Sequence, residues 1–358
     1  MNAWEKRKFG ELYSKTSEKN DGSFGPDKII SVATMSWKTN VRISNEGYLA
    51  TYNVLRKGDI AFEGNRSKKF SFGRFVENDI GDGIVSHVFV VFRPKVPPVI
   101  SYWKYFIHNE FVMRNILRKS TIKATMMTNL SSHDFLRQTL CTPSFKEQEN
   151  IGNFLERLDS LIAATQDKLD SIEKIKKALL QHLFDQSMRF KGYSDPWEKR
   201  CLKEILSVNS GRDYKHLLPG KVPVYGTGGY MLSVNEALSH SDAIGIGRKG
   251  TIDRPFFLKA PFWTVDTLFF LTVKKEMVLS FVFPLLQTIR WKQLDESTGV
   301  PSLSKKTIES IMVHVPQKEE QQIIGNTFIL IDNLIAATQS KLSSLETLKK
   351  ALLQGLFI

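Results

Sequence analysis

Two stretches of the chain share one pattern of apolar and polar positions. Residues 147–184 carry apolar side chains at heptad spacing, from Ile151 and Leu158 to Leu179, with a second apolar row beside them. No proline interrupts residues 147–184 or 320–357, so each stretch is predicted to form one long helix. At 1.5 Å per residue, a helix of this size would extend roughly 57 Å.

The two stretches are an internal repeat. Aligned at a shift of 173 residues, 24 of their 38 positions are identical, including the blocks LIAATQ and KKALLQ. Thr165 and Thr338 occupy the same central position of the apolar rows, where a polar residue can fix the register of a helix pair. The repeat favours a paired coil, and the alternative is two separate surface helices.

The connection between the helices predicts their direction. It holds roughly 120 residues, and a globule of that size has a radius of gyration of roughly 13 Å. In a parallel pair this globule would have to span most of the length of a rod of roughly 57 Å, whereas an antiparallel pair brings the two ends together. We therefore expect an antiparallel coiled coil with pseudo-twofold symmetry, which would also set the separation of the globules at its ends.

The repeat extends into the sequences that flank the helices. The segment WEKR occurs at 4–7 and again at 197–200, and Pro143 and Pro316 precede the two helices. Between these boundaries, short β-rich runs with turn glycines and a few helical stretches are typical of an α+β fold. The expected order is a globular domain at 1–143, a spacer helix at 144–184, a linker at 185–196, a second globular domain at 197–316 and a second helix at 317–358.

The start of the first helix carries a capping signal. Ser144 and Glu147 have the spacing of a capping box, in which each residue's side chain bonds the other's backbone N–H. The second helix has Gln317 at the position of the serine, so that cap is predicted to be lost or replaced.

The globules and the helices differ in net charge. The chain has 358 residues, is 42% hydrophobic and carries a formal charge of +13, which suits two domains with real cores and a polyanionic partner. Residues 147–184 and 319–358 carry −2 and −1, whereas 1–146 and 185–318 carry +10 and +6. A polyanion should therefore be sought on the globules, and the alternative is that the basic charge serves solubility alone.

The sequence lacks the motifs that are typical of several functional classes. Cys141 and Cys201 give no disulfide framework, the histidines have no metal-ligand spacing, and the apolar stretch 278–286 is broken by Pro284. Residues 245–250 satisfy GxGxxG, but TIDRPFF follows where a dinucleotide fold needs a helix. We therefore expect a cytoplasmic protein that binds no cofactor or metal and has no catalytic residues of its own.

Basic and aromatic loops are the candidate DNA-binding elements. A glycine turn would expose cations toward a polyanion, with donors suited to phosphate and to guanine edges, although a solvated turn is the alternative. A second glycine-rich loop could place tyrosines against sugars or bases, or be a hairpin with core tyrosines. In the first globule, four cations alternate with Phe70 and Phe72, which are predicted to be core. The candidates are Arg66, Lys68, Lys69, Arg74, Arg212, Lys215, Tyr225, Thr227, Tyr230, Arg248, Lys249 and Thr251.

These features together resemble a known family. Two variable globules, each introduced by WEKR and followed by EQ…IGN…LIAATQ…KL…KKALLQ.LF, are similar to the specificity subunit of Type I restriction-modification systems. The phrases PVYGTGGY, IGRKGTID, FWTVDTLFFL and TGVPSLSKKTIESI resemble one kind of target-recognition domain in that family. The resemblance implies two domains that recognise the halves of a bipartite double-stranded DNA target, and a helical spacer between them.

The same resemblance implies the partners. Two methyltransferase subunits would dock on the chain, and restriction subunits would join in the full complex. S-adenosylmethionine would be bound by the methyltransferase rather than by this chain. Two other classes remain: a coiled-coil adaptor, which predicts no basic bias in the globules, and a self-contained DNA methyltransferase, which needs a cofactor loop followed by a helix.

Overall fold

The fold is that of a computed structural model, which describes residues 4–39, 46–123 and 127–357. Its contacts divide the chain into two compact units. Unit 1 comprises residues 1–165 and 341–358, and unit 2 comprises residues 166–340. The divisions fall inside the two long helices, so each unit contains part of both.

Unit 1 is an α+β structure. Its strands are β1 (Glu5–Lys8), β2 (Tyr13–Thr16), β3 (Ile30–Ser31), β4 (Ser36–Trp37), β5 (Asn53–Leu55), β6 (Ile60–Glu63), β7 (Arg74–Glu77), β8 (Gly83–Val85), β9 (Val90–Pro94), β10 (Thr121–Lys123), β11 (Thr128–Leu130) and β12 (Thr139–Thr142). Its helices are α1 (Phe9–Leu12), α2 (Ile100–Phe106), α3 (Glu110–Ser120), α4 (Ser132–Arg137) and the first part of α5 (Phe145–Phe184), with short 3-10 turns at Pro26–Lys28 and Glu46–Thr51.

A four-stranded antiparallel sheet organises unit 1. Its strand order is β2-β9-β6-β7. Phe75 on β7 and Phe92 on β9, two strands that flank β6, both pack against Phe135, with ring centroids 4.5 and 5.0 Å from it. Leu155 from α5 and Phe357 join the same core. The apolar ends of both long helices therefore complete this unit.

Unit 2 repeats this plan with additions. Its strands are β13 (Glu198–Cys201), β14 (Leu206–Ser210), β15 (Pro219–Gly226), β16 (Gly229–Val234), β17 (Ala243–Gly247), β18 (Phe256–Leu258), β19 (Trp263–Thr264), β20 (Leu268–Val273) and β21 (Met312–Val315). Its helices are the last part of α5, then α6 (Leu202–Ile205), α7 (Leu279–Thr288), α8 (Lys305–Ser310) and the first part of α9 (Lys318–Gly355), with a 3-10 turn at Trp291–Leu294.

The main sheets of the two units have matching topology. The order in unit 2 is β14-β20-β17-β18, which corresponds strand by strand to β2-β9-β6-β7. In both units the WEKR segment pairs antiparallel with the strand that leads into a long helix, β1 with β12 and β13 with β21. Unit 2 adds a three-stranded sheet, β16-β15-β19. The α+β fold predicted for both globules is confirmed.

Side chains that the repeat keeps identical make identical contacts. The indole N–H of Trp4 donates to the Glu147 carboxylate at 3.2 Å, and that of Trp197 donates to Glu320 at 3.2 Å. The next residue of each helix, a glutamine, donates its side-chain amide to the carbonyl of the preceding proline at 3.0 Å. The glutamate therefore fastens each long helix to its WEKR segment, and the glutamine binds the proline that precedes the helix.

The capping box is formed only in part. The Glu147 backbone N–H donates to Ser144 Oγ at 3.4 Å, as predicted. The Glu147 carboxylate accepts from the Trp4 indole instead of from a backbone N–H at the helix start, because the indole lies beside it once β1 has paired with β12. At the second helix, Gln317 donates to Asp195 at 3.4 Å.

The long helices pair antiparallel. Lys349 is ion-paired with Asp159 in unit 1, and Lys176 is ion-paired with Asp332 in unit 2. Between the two pairs, the residue number rises by 17 along α5 and falls by 17 along α9. The hydroxyls of the two central threonines donate to carbonyls of their own helices at 2.7 Å. The predicted antiparallel coiled coil with a pseudo-twofold repeat is confirmed.

Candidate nucleic-acid interface

Five of the predicted cations lie on equivalent connections of the two main sheets. Residues 64–73 join β6 to β7 in unit 1 and carry Arg66, Lys68 and Lys69. Residues 248–255 join β17 to β18 in unit 2 and begin with Arg248 and Lys249. The two segments share no sequence motif, so this equivalence emerges only from the strand order.

Phe70 anchors the connection in unit 1. Its backbone carbonyl accepts from the Ser67 N–H at 2.9 Å, and its own N–H donates to the Ser67 hydroxyl at 3.1 Å. The Phe70 ring is buried, as predicted. Gly73 has φ +81, and a Cβ there would lie 2.6 Å from the Glu63 carbonyl. The buried ring and the tight turn leave Arg66, Lys68 and Lys69 exposed.

Arg74 braces the base of this connection. Its guanidinium is 2.6 Å from the Glu63 carboxylate, donates to the Ala33 carbonyl at 2.9 Å and lies 5.3 Å from the centre of the Phe70 ring. The Arg74 side chain nevertheless lines a cleft together with Lys68 and Lys69.

That cleft holds more cations than the sequence indicated. It has a volume of about 1050 Å³. Lys104, Arg114, Lys349 and Lys350 join the predicted residues in its wall. They come from α2, α3 and α9, far from the loop in sequence, so no local pattern could have associated them with it.

The four acidic side chains of the cleft, Glu77, Glu110, Asp159 and Glu346, offset only part of this charge. Burial raises the pKa of Glu77 well above its ordinary value, and desolvation also raises the pKa of Glu110. Asp159 is ion-paired with Lys349 and accepts the Tyr105 hydroxyl at 2.8 Å. Lys68, Arg114 and Lys350 have no ion-pair partner among the described residues. The cleft is therefore suited to an anion.

In unit 2, one short segment ties the candidate loops together. This segment comprises residues 264–268. The Arg212 backbone N–H donates to the Thr264 carbonyl, and the Arg248 backbone N–H donates to the Thr267 carbonyl, both at 2.8 Å. The Val265 N–H donates to the Tyr225 carbonyl at 3.0 Å. Three stretches predicted separately are thus neighbours, and the segment that joins them was not among the predicted site residues.

The Arg248–Lys249 turn is fixed by its backbone. Gly250 has φ +92 and donates to the Pro301 carbonyl at 2.8 Å, while the Leu303 N–H donates to the Arg248 carbonyl at 3.0 Å. Both cationic side chains are exposed. No helix follows this turn, and the next element is β18. The arrangement differs from a dinucleotide loop, as the sequence indicated.

The glycine-rich loop is the tip of the β15–β16 hairpin. Tyr225 is half-buried, with its ring 6.1 Å from that of Phe256, so it serves partly as core. Tyr230 is 63% exposed and stands beyond the turn at Gly229, which has φ +106. A Cβ on Gly250 would lie 3.5 Å from the Thr227 hydroxyl. Thr227 therefore adjoins the cationic turn.

Lys215, Thr251 and Lys305 complete the surroundings of these loops. Lys215 is exposed in the turn after Arg212, and Thr251 is half-buried behind the glycine turn. Lys305 lines a 340 Å³ pocket with Arg248 and Lys249, and sequence reasoning missed it because it lies on a different element.

One carboxylate faces the three cations of this pocket. Glu296 accepts hydrogen bonds from the hydroxyls of Thr307 and Ser304, and these bonds lower its pKa.

Across the described ranges, no three His, Cys, Asp or Glu side chains are grouped to hold a metal ion. Among the described helices, none is long and apolar enough to cross a membrane.

Comparisons with known proteins agree with this architecture. Residues 1–174 and 194–347 match the family model of the Type I restriction modification DNA specificity domain. The chain is 21% identical over 359 residues to the Type I restriction enzyme MjaVIII specificity subunit of Methanocaldococcus jannaschii, covering 87% of this chain and 80% of that protein.

Solved structures share the fold. The S subunit of a Type I restriction-modification system from M. genitalium aligns with a TM-score of 0.67 at 19% identity, over 100% of this chain and 97% of that one. The HsdS subunit from Thermoanaerobacter tengcongensis aligns with a TM-score of 0.55 at 16% identity, over 100% and 97%. With both globules and most of both long helices inside the matched segments, the chain belongs to the Type I restriction-modification DNA specificity family.

Proposed function

We propose that this chain recognises DNA for a Type I restriction-modification complex, with each unit contacting one half of a bipartite target. The equivalent cationic connections carry this proposal. Five exposed cations on them, Arg66, Lys68, Lys69, Arg248 and Lys249, have no ion-pair partner among the described residues. Side chains of this kind neutralise phosphates, and arginine also matches guanine edges in the major groove.

The neighbouring loops would add sequence readout. Tyr230 is exposed at the hairpin tip, and Thr227 adjoins the cationic turn. Arg212 and Lys215 are exposed on the segment that residues 264–268 hold beside the same hairpin. Contacts to phosphate would fix the orientation of DNA, whereas contacts from these loops to base edges would select its sequence.

The chemistry would belong to partner subunits. We place methylation on two methyltransferase subunits that bind S-adenosylmethionine, and cleavage on restriction subunits that join the complex. This chain would contribute recognition without catalysis, in the cytoplasm, where the DNA is.

Two apolar patches on the paired helices would receive the methyltransferases. In unit 1, Leu161 and Leu348 are 43% and 46% exposed, and the Asp159–Lys349 pair puts them at the same level of the coil. In unit 2, Leu334 and Ile175 are 44% and 55% exposed and are the repeat counterparts of those leucines. Repeated patches suit two copies of one partner.

The DNA-binding proposal is tested by removing charge from the glycine turn. Arg248→Ala with Lys249→Ala should weaken DNA binding by the assembled methyltransferase and lower the salt slope by about 1 to 2 units. A base contact would instead relax one half-site. Lys259→Ala with Lys292→Ala is the matched control, since these exposed lysines of unit 2 are ion-paired with Asp242 and Asp253. Equal binding by both double variants would refute a role for the turn.

The docking proposal is tested by counting bound subunits. Leu161→Lys or Leu334→Lys should each reduce the bound methyltransferase from two copies to one, as measured by native mass spectrometry. Leu330→Lys is the control, because Leu330 is 69% exposed but its repeat counterpart is Arg157. Two bound copies in all three variants would show that the patches are not the contact.

A further inference from the structure

We call each hydrogen-bonded Trp–Glu pair of the repeat a corner. The corner Trp4–Glu147 in unit 1 and the corner Trp197–Glu320 in unit 2 differ in one respect. In unit 2, the Arg189 guanidinium forms two hydrogen bonds of 2.8 Å with Glu320 and lies 5.6 Å from the centre of the Trp197 ring. Glu320 and Trp197 are consequently 2% and 6% exposed. The linker after α5 thus covers this corner.

The corner in unit 1 has no such cover among the described residues. Glu147 is half-buried and accepts the Trp4 indole N–H, and no described arginine or lysine lies within ion-pair distance of it. Trp4 is half-buried as well. The same two side chains, held by the same hydrogen bond, are only half-buried here.

An apolar groove continues from this corner. Its volume is about 630 Å³. Trp4, Phe106, Val112, Ile116, Leu140 and Phe357 form its apolar wall, and Asn115, Lys119, Gln138 and Thr139 line its polar side. In unit 2, the residue after Arg189 is Phe190, which packs against the apolar core. In unit 2 the linker therefore presents an arginine to the corner and, at the next position, an aromatic ring to the apolar core.

We infer that the Trp4–Glu147 corner and its groove bind a segment of a partner protein that presents an arginine beside an aromatic residue. The arginine would pair with Glu147 and lie over Trp4, as Arg189 does with Glu320 and Trp197. The aromatic ring would enter the groove. This site lies apart from the cationic loops and from the helix patches, so it does not depend on the proposed function.

A peptide with the sequence SMRFKGYS, copied from residues 187–194, is the probe. Calorimetric titration into the full chain should show saturable binding. Glu147→Gln should weaken binding by about tenfold or more, because it removes the charge that a guanidinium pairs with. Glu149→Gln is the matched control, as Glu149 is exposed two residues further along the same helix. A peptide with alanine for the arginine should also bind at least about tenfold more weakly.

Three results of these titrations would overturn the inference. They are no saturable binding by the unaltered chain, equal binding by Glu147→Gln, and equal binding of the alanine peptide. Val112→Glu places a carboxylate in the groove wall and should also abolish binding, which keeps the test decisive if Glu147→Gln fails to fold.

Cross-linking separates the two corners. A photoreactive phenylalanine in the peptide should attach near Trp4 and Leu140, and attachment near Trp197 would show displacement of the linker instead. Self-association of the chain that the peptide reverses would assign the groove to a second copy and overturn a partner protein.

Discussion

The Lys349 ammonium lies 2.5 Å from the Asp159 carboxylate. The equivalent ion pair of the repeat joins Lys176 and Asp332, which are 2.6 Å apart. Lys176 is the counterpart of Lys349 in the aligned repeat, and Asp332 is the counterpart of Asp159. Each long helix contributes one lysine and one aspartate, and the two resulting ion pairs fix the antiparallel register at two points along the helices.

Reversing one of these charges should destabilise unit 2 modestly. Lys176→Glu would place a carboxylate beside Asp332 and should cost about 0.5 to 1 kcal/mol of unfolding free energy, since both side chains are partly exposed. Adding Asp332→Lys should recover most of the loss. Urea unfolding measures both effects. Lys177→Glu, at an exposed position without an ion pair among the described residues, is the control, and an equal loss there would show that the pair is not coupled.

Two glycines of the repeat should not tolerate a methyl group. A Cβ on Gly152 would lie 2.7 Å from the Tyr102 backbone nitrogen, and one on Gly325 would lie 2.9 Å from that of Phe281. Each helix approaches the start of α2 or α7 at these points, so alanine should cost about 1 to 3 kcal/mol of unfolding free energy. Gly355→Ala, where a Cβ meets nothing within 4 Å, should be nearly neutral. Thermal unfolding of the three variants compares them, and equal melting temperatures would contradict the close packing.

Glu77 should make stability depend on pH. Its carboxylate oxygens are buried and have no hydrogen-bond partner among the described residues, and burial raises its pKa above the ordinary 4.5. The folded chain therefore keeps a proton that the unfolded chain releases. This contribution is full below pH 4.5 and falls by about 1.4 kcal/mol for each pH unit up to the folded pKa.

Glu77→Gln keeps the shape of the side chain and removes the titration. The variant and the unaltered chain should have similar unfolding free energies at pH 4.5, and the variant should be the more stable at pH 7.5. Urea unfolding at both values measures the difference. A difference that does not change with pH would show that Glu77 titrates normally.

The unit 1 connection should contribute to one half-site only. Lys68→Ala with Lys69→Ala should weaken DNA binding by the assembled methyltransferase and lower the salt slope by about 1 to 2 units. Methylation mapping should show relaxation, if any, in the half-site contacted by unit 1. Lys28→Ala with Lys146→Ala is the control, because these exposed lysines are ion-paired with Asp27 and Glu149. Relaxation confined to the other half-site would reverse the assignment of the units.

The sequence predicted features that repeat or have a period. The two helices follow from heptad spacing, and their pairing follows from the identity of the copies. The contact between Trp4 and Glu147 spans 143 positions and has no period, although the recurrence of both residues in the repeat is a signal that could have suggested it.

The candidate site was predicted less completely for the same reason. Arg248 and Lys249 stand out because glycines flank them, and both are exposed on a turn. Arg114 and Lys350 reach the unit 1 cleft only because α3 and α9 converge there. A cation on a helix surface looks alike in sequence whether it faces a cleft or solvent.

The division of the chain inside its long helices also bears on the order in which the protein is made. Residues 166–340 form unit 2 as one continuous segment, whereas unit 1 needs residues 341–357 to join residues made far earlier. During translation, unit 2 can become compact while the core around Phe92 still lacks Phe357. The amino-terminal unit is therefore the last to gain all of its core residues.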